Sequence, residues 1–173
     1  MCSFIVTNRK FKDEELSKIN YFTQLRGPDV TSVETINGYT FLHNLLSITG
    51  DLTVQPFKKD NIVCLYNGEL YDYDKEKYKS DGESLIDLYL EQGPLFTQKL
   101  DGEFAIVLFD FNKDLIVLST DAFSTKPLWF SEEQGEWGIA TYRTPLESLG
   151  FSHCTKLKAN TIRVSKMSSH ILV

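Results

Sequence analysis

Cys2 stands directly behind the initiator methionine. Methionine is normally trimmed when the following side chain is this small, and trimming leaves one residue carrying both a thiol and a free α-amino group. The reference pKa of an α-amine is about 7.7–8.0 and that of a cysteine thiol about 8.5. The amine can therefore take the thiol proton near neutral pH without a histidine, as N-terminal threonine nucleophiles do. Read alone, the same residue also fits a buried first-strand thiol, because free cysteine packs as a small hydrophobe.

The remaining side chains with chemical potential are scattered. Cys64 and Cys154 make neither a CxxC nor a paired framework with Cys2, so a reducing, cytoplasmic setting is the expectation. His43, His153 and His170 show no metal-ligand spacing, and neither a metal nor a cofactor is expected. There is no glycine-rich phosphate cradle. The formal net charge of −6 disfavours nucleic acid as a partner. No apolar run approaches the roughly 20 residues of a membrane span, and the N-terminus turns charged too soon for a signal peptide. A chain of 173 residues with 42% hydrophobic residues reads as one globular domain, residues 1–173.

The elements that must position Cys2 are mostly strands. Aromatic and β-branched runs broken by polar turns predict strands over Ser3–Thr7, Tyr39–His43, Ile62–Tyr66, Phe104–Phe109, Leu115–Thr120, Leu128–Phe130 and Trp137–Ala140. Asn112 and Asp114 suit the turn of a hairpin between the fourth and fifth of these. Helices are predicted over Asp13–Asn20 and Ser80–Gln92. In the latter Leu85, Leu88 and Tyr89 recur at helical spacing, Ser80 with Glu83 forms a capping box, and Gly93-Pro94 ends the run. A short helix over Leu95–Lys99 follows. Strands, then helices, then strands indicate an α+β layered architecture rather than alternating parallel units.

Several short motifs then fall in order: Met1-Cys2-Ser3, Arg26-Gly27-Pro28-Asp29, His43-Asn44-Leu45-Leu46-Ser47-Ile48, Gln55-Pro56, Tyr66-Asn67-Gly68-Glu69-Leu70-Tyr71, Ser80-Asp81-Gly82-Glu83, Leu100-Asp101-Gly102-Glu103-Phe104-Ala105 and Lys126-Pro127-Leu128. Together they resemble the class II, or N-terminal-nucleophile, glutamine amidotransferase domain of asparagine-synthetase-type enzymes, from Met1 to about Leu149. The resemblance implies a four-layer αββα sandwich of two stacked antiparallel sheets. It also implies acyl transfer: Cys2 attacks the side-chain amide of L-glutamine, ammonia leaves, and water hydrolyses the glutamyl thioester. By the same resemblance the Asn67 side chain and the Gly68 backbone N–H form the oxyanion hole, the alternative for an isolated pair being an ordinary Asn-Gly turn. Asp81 holds the substrate ammonium, with N-capping as its other reading. Leu45, Leu46, Ser47, Ile48 and Thr49 form the segment at the substrate's carboxylate end, and Glu69 touches the substrate through its backbone. Arg26 buttresses loops by pairing with Asp29 or with carbonyls, and His43 is a hydrogen-bonded structural residue. Lys126 is structural.

One position departs from the pattern. The family places a carboxylate-binding arginine where this chain has Leu45. A forked arginine–carboxylate contact is strong, and leucine cannot replace it. Arg26, Lys58, Lys59 or another cation entering the pocket could substitute for it. The resemblance also implies a synthetase domain with its own phosphate loop, which these residues lack, so a separate ammonia-accepting synthetase domain or subunit is expected. Two further readings stand beside the glutaminase: a non-catalytic or altered-specificity binding module of the same fold, and a hydrolase of amides lacking a free α-carboxylate.

Overall fold

A computed structural model describes residues 2–48 and 50–168. Its strands form two antiparallel sheets. The first contains β1 (Ser3–Thr7), β2 (Val30–Ile36), β3 (Tyr39–Leu45), β8 (Trp129–Glu133), β9 (Glu136–Ala140) and β10 (Thr155–Lys156), in the order β10-β8-β9-β1-β3-β2. The second contains β4 (Phe57–Lys59), β5 (Ile62–Leu70), β6 (Gly102–Asp110), β7 (Leu115–Thr120) and β11 (Thr161–Lys166), in the order β11-β7-β6-β5-β4.

Period-2 alternation sends successive side chains to opposite faces, and here both faces are covered. Phe4 and Val6 of β1 point inward and meet Phe41 of β3, Leu65 of β5 and Val107 and Phe109 of β6 in the layer between the sheets. Ile5 points outward, where with Leu42 and Ala140 it packs under Ile19 of α1 (Asp13–Asn20) and Leu146 of α3 (Arg143–Ser148). On the other side, Leu85, Ile86 and Tyr89 of α2 (Ser84–Gln92) cover Ile62, Cys64 and Tyr66 of β5 and Ile106 and Leu108 of β6. The layers therefore run helix, sheet, sheet, helix. This is the sandwich that the motifs imply, and it explains why β1 is buried along its whole length.

The aromatic residues occupy one end of the inter-sheet layer. Tyr39 lies 5.1 Å from Trp137 and Phe41 meets Phe109 edge-on at 5.2 Å. Because Thr7 pairs with Thr40 and Ser3 with Asn44, this aromatic plug sits at the far end of β1 from Cys2. The Cys2 end is left open.

Most predicted elements occur close to their expected bounds. The β6–β7 hairpin closes through Asp110, whose Oδ1 accepts the N–H groups of Asn112 and Lys113 at 3.0 and 3.1 Å. The segment Ser80–Gln92 splits into a 3₁₀ turn, Asp81–Glu83, and α2, which ends at Gly93 with φ 76°. Of the capping box, the Ser80 N–H meets the Glu83 carboxylate at 3.3 Å, while the Ser80 hydroxyl lacks a hydrogen bond. The short helix after Leu95 is a 3₁₀ turn over Phe96–Lys99. β2, β4, β10, β11 and α3 were not among the predicted elements. β2 shows the reason: VTSVETI alternates half-buried and exposed positions at the edge of its sheet and carries too few apolar residues to stand out.

Candidate active site

Cys2 lies one residue before the start of β1, opposite the end of β3. Its Sγ accepts the Leu46 N–H at 3.4 Å and stands 3.7 Å from the Leu46 carbonyl. Burial pushes the Cys2 thiol up; the Leu46 amide favours the thiolate, and the charges of Asp81 and Asp29 oppose it. A neutral thiol at rest requires a base to take its proton.

A buried polar clamp fixes the adjacent residue. The Ser3 hydroxyl donates to the Thr23 carbonyl at 2.8 Å and accepts from Asn44 Nδ2 at 2.9 Å. The Asn44 and Asn20 side chains exchange two hydrogen bonds, at 2.8 and 3.0 Å, and Thr31 donates to Asn44 Oδ1 at 2.8 Å. Thr23 in turn donates to Asn20 Oδ1 at 2.7 Å. Such a network is satisfied and rigid, so it locks the neighbour of Cys2 to β3, α1 and the turn Thr23–Arg26. Sequence reasoning passed over Asn44, although it sits inside the His43–Ile48 motif.

The second sheet supplies an open edge beside Cys2. β4 pairs with β5 only over Ile62–Cys64. Beyond it the Gln55 side chain takes the strand's place: Tyr66 N–H donates to Gln55 Oε1 at 2.8 Å, and Gln55 Nε2 donates to the Tyr66 carbonyl at 3.0 Å. Four residues later the same edge is met by Asp81, whose Oδ2 accepts the Leu70 N–H at 2.8 Å. Alternation turns the Gly68 N–H to this edge, between two occupied amides, with no protein partner there among the described residues. Glycine is required at this point: a Cβ on Gly68 would lie 2.2 Å from the Glu103 carbonyl oxygen.

Asn67 alternates with Tyr66 and Gly68 and so points into the inter-sheet layer. It is 1% exposed, and its Oδ1 is buried without a partner. His43, also turned inward, is fully buried with neither ring nitrogen hydrogen-bonded. Burial lowers its pKa to about 3, against a small opposing effect of the Tyr66 backbone, so the ring is neutral at physiological pH.

One cavity gathers Cys2, Leu45, Leu46, Ser47, Ile48, Gly68, Glu69 and Asp81, together with residues that were not assigned to a site: Asp51, Ser80, Glu103 and Lys126. Thr49 lies outside the described residues. Asp81 is 7% exposed, and its Oδ2 also accepts the Tyr66 hydroxyl at 2.6 Å; the N-cap position belongs to Ser80. Lys126 was read as structural; it lines the cavity and pairs with Glu103 at 2.8 Å. A lysine with a side chain only 6% exposed is the signal that sequence alone does not carry.

The cations considered as replacements for an arginine at position 45 are elsewhere. Lys58 pairs with Glu34 and Lys59 with Asp87, both at 2.6 Å. Arg26 places its guanidinium over the Tyr142 ring, 5.7 Å from its centroid, and forms no ion pair with Asp29 among the described residues. Asp29 instead accepts the Ser47 N–H at 2.8 Å.

Comparison with known proteins places this geometry. The glutamine amidotransferase domain family matches residues 1–167. The putative asparagine synthetase [glutamine-hydrolyzing] 1 of Methanocaldococcus jannaschii is 29% identical over 75% of this chain, and asparagine synthetase [glutamine-hydrolyzing] 2 of Bacillus subtilis is 34% identical over 74% of it. The matched segment spans 26% and 18% of those relatives. Among solved structures, the glutamine phosphoribosylpyrophosphate amidotransferase of B. subtilis superposes with a TM-score of 0.61 at 13% identity, over 99% of this chain and 50% of that one, which shows a shared fold. This chain is a member of the glutamine amidotransferase domain family, of the asparagine-synthetase type.

Proposed function

We propose that Cys2, freed of Met1, hydrolyses a glutamine-type side-chain amide through a thioester and delivers the ammonia to an asparagine-synthetase-like domain or subunit. The α-amine takes the thiol proton, and sulfur attacks the amide carbon. The oxyanion is held by the Gly68 N–H and the Asn67 side chain. The protonated amine returns its proton to the departing nitrogen, and water then cleaves the thioester along the same route in reverse. Asp81, with one oxygen committed to Tyr66 and Leu70, offers the other to the substrate ammonium.

The observation that carries this reading is the convergence of the two sheets: Cys2 at the end of β1 and the unpartnered Gly68 N–H on the edge of β5 face one cavity. His43 is unsuited to the role of base because burial lowers its pKa to about 3, too weak to take a thiol proton, and the terminal amine is the base in this reading. The free thiols fit a reducing, cytoplasmic setting, and among the described residues no helix is long and apolar enough to cross a membrane.

Hydroxylamine trapping tests the proposal. With excess L-glutamine and hydroxylamine, a thioester enzyme forms γ-glutamyl hydroxamate, and the Cys2→Ala variant forms none. Intact mass establishes that Met1 has been removed. Absence of hydroxamate from the processed enzyme with L-glutamine and with its α-methylamide alike, or equal formation by Cys2→Ala, overturns the assignment.

A further inference from the structure

The wall of the cavity is unbalanced in charge. Four acidic residues, Asp51, Glu69, Asp81 and Glu103, stand among the described lining residues against one basic residue, Lys126, whose ammonium is held by Glu103 at 2.8 Å. At the Leu45–Ile48 wall, where the carboxylate end of an amino acid would rest, Leu45 and Ile48 are apolar. The Ser47 N–H, a backbone donor of this wall, is already bonded to the carboxylate of Asp29, and the charge of Asp29 reaches Cys2. An incoming carboxylate would meet like charge without a forked cation to receive it.

The opposite end suits an amine. Asp81 is buried and anchored by Tyr66 and Leu70, so it is held rather than free to swing away. Beside it the Ser80 hydroxyl lines the cavity, is buried, and has no hydrogen-bond partner. A buried hydroxyl without a partner is costly unless a ligand completes it. Asp81 and Ser80 together supply two acceptors for one ammonium group.

Resting on the assignment of Cys2 as nucleophile, we infer that the pocket selects a primary amide that carries a protonated amine and lacks a free carboxylate beside it, such as a glutamine residue whose α-carboxyl is masked in an amide or peptide bond. Free glutamine is then a poor substrate of the same chemistry. Leu45 covers the masked group with apolar surface where an arginine would have bound an anion.

Calorimetry on the Cys2→Ala variant separates binding from chemistry. Three probes share the reacting amide: L-glutamine, L-glutamine α-methylamide, and 4-aminobutanamide, which is glutamine without its carboxylate. The methylamide and 4-aminobutanamide are expected to bind at least about tenfold more tightly than glutamine, and butanamide, which lacks the amine, at least about tenfold more weakly than 4-aminobutanamide. Glutamine binding as well as or better than either, or no binding of any probe, overturns the inference. Asp29→Asn is expected to narrow the discrimination against glutamine, and an unchanged ratio also counts against it. If the methylamide binds as stated but the wild-type enzyme, shown by mass to lack Met1, does not convert it to glutamate α-methylamide, the nucleophile assignment fails and the selectivity stands.

Discussion

Removing the imidazole at position 43 should flatten the acid sensitivity of this fold. His43 is fully buried without a hydrogen bond, and its folded pKa of about 3 reflects mainly the cost of charging it there. In the unfolded chain a histidine binds its proton at about pH 6.5. Between these values the unfolded state holds one more proton than the folded state, so acid favours unfolding. Stability is therefore complete above about pH 6.5 and falls by about 1.4 kcal/mol per pH unit below it. From pH 7.5 to pH 5 the loss from this one group is about 2 kcal/mol.

Carboxylates act lower on the scale. Asp87, held down to about 2 first by its hydrogen bond from Lys59, loses its contribution only below the ordinary carboxylate range. The window between pH 7.5 and 5 thus isolates the histidine. Urea unfolding followed by the fluorescence of Trp129 and Trp137 measures it: with a slope of about 2 kcal/mol per molar urea, the wild-type midpoint should drop by about 1 M across the window. The His43→Gln variant, neutral at both pH values, should lose most of that drop whatever its absolute stability. A midpoint shift that is the same in variant and wild type would refute the reasoning.

Asn67→Ala should lower kcat for ammonia release by about 10²–10³ with little change in KM, since the lost donor acts on the oxyanion rather than on bound substrate. A parallel rise in KM would assign Asn67 to binding instead. Gly68→Ala sets a Cβ 2.2 Å from a backbone carbonyl of β6, and overpacking against main chain should cost about 3 kcal/mol or more. Calorimetric melting should show this as a lowered transition temperature. Asn44→Leu leaves the buried side chains of Asn20 and Ser3 without their shared partner, at about 1–3 kcal/mol for each, and should lower kcat as well as stability. Wild-type kcat in that variant would show that the clamp serves folding alone.

The parts of this protein legible in its sequence are those where one residue type does one local job. Phe104–Phe109 and Leu115–Thr120 announce a hairpin because apolar strands flank a turn, and Asp110 caps that turn as a short acceptor side chain can. Leu85 and Tyr89 announce a helix because their spacing gives it one buried face. Cys2 announces itself by position. What stayed hidden depends on the partner rather than the residue. Lys126 reads as an ordinary loop lysine until the fold buries it against Glu103 on the cavity wall. The polar strand β2 exists because Thr31 and Ser32 meet β3 at a sheet edge, which no local periodicity declares. Arg26 and Asp29, three residues apart, invite an ion pair, yet one goes to an aromatic face and the other to a backbone amide.

The division of labour between the sheets has a physical consequence. In the proposed mechanism the nucleophile belongs to the first sheet through β1, and the oxyanion donors belong to the second through β5. Between the sheets their relative position is set by side chains that touch neither substrate nor sulfur: Phe4 and Val6 from one face, Leu65 and Val107 from the other. A core packed at crystal-like density responds to the loss of even a methylene by shifting its neighbours. A displacement of about 1 Å can cost a hundredfold in rate when the reacting groups must be aligned. Hydrophobic residues one layer behind the cavity thus belong to the catalytic geometry as much as to stability. A Leu65→Ala substitution differs from one at Leu85, which packs only on the outer face of the second sheet. Both remove a comparable buried side chain, at about 2–5 kcal/mol. Only the first opens the space between nucleophile and oxyanion hole, so only the first should depress kcat, measured below the melting transition of both variants, beyond what the fraction folded explains.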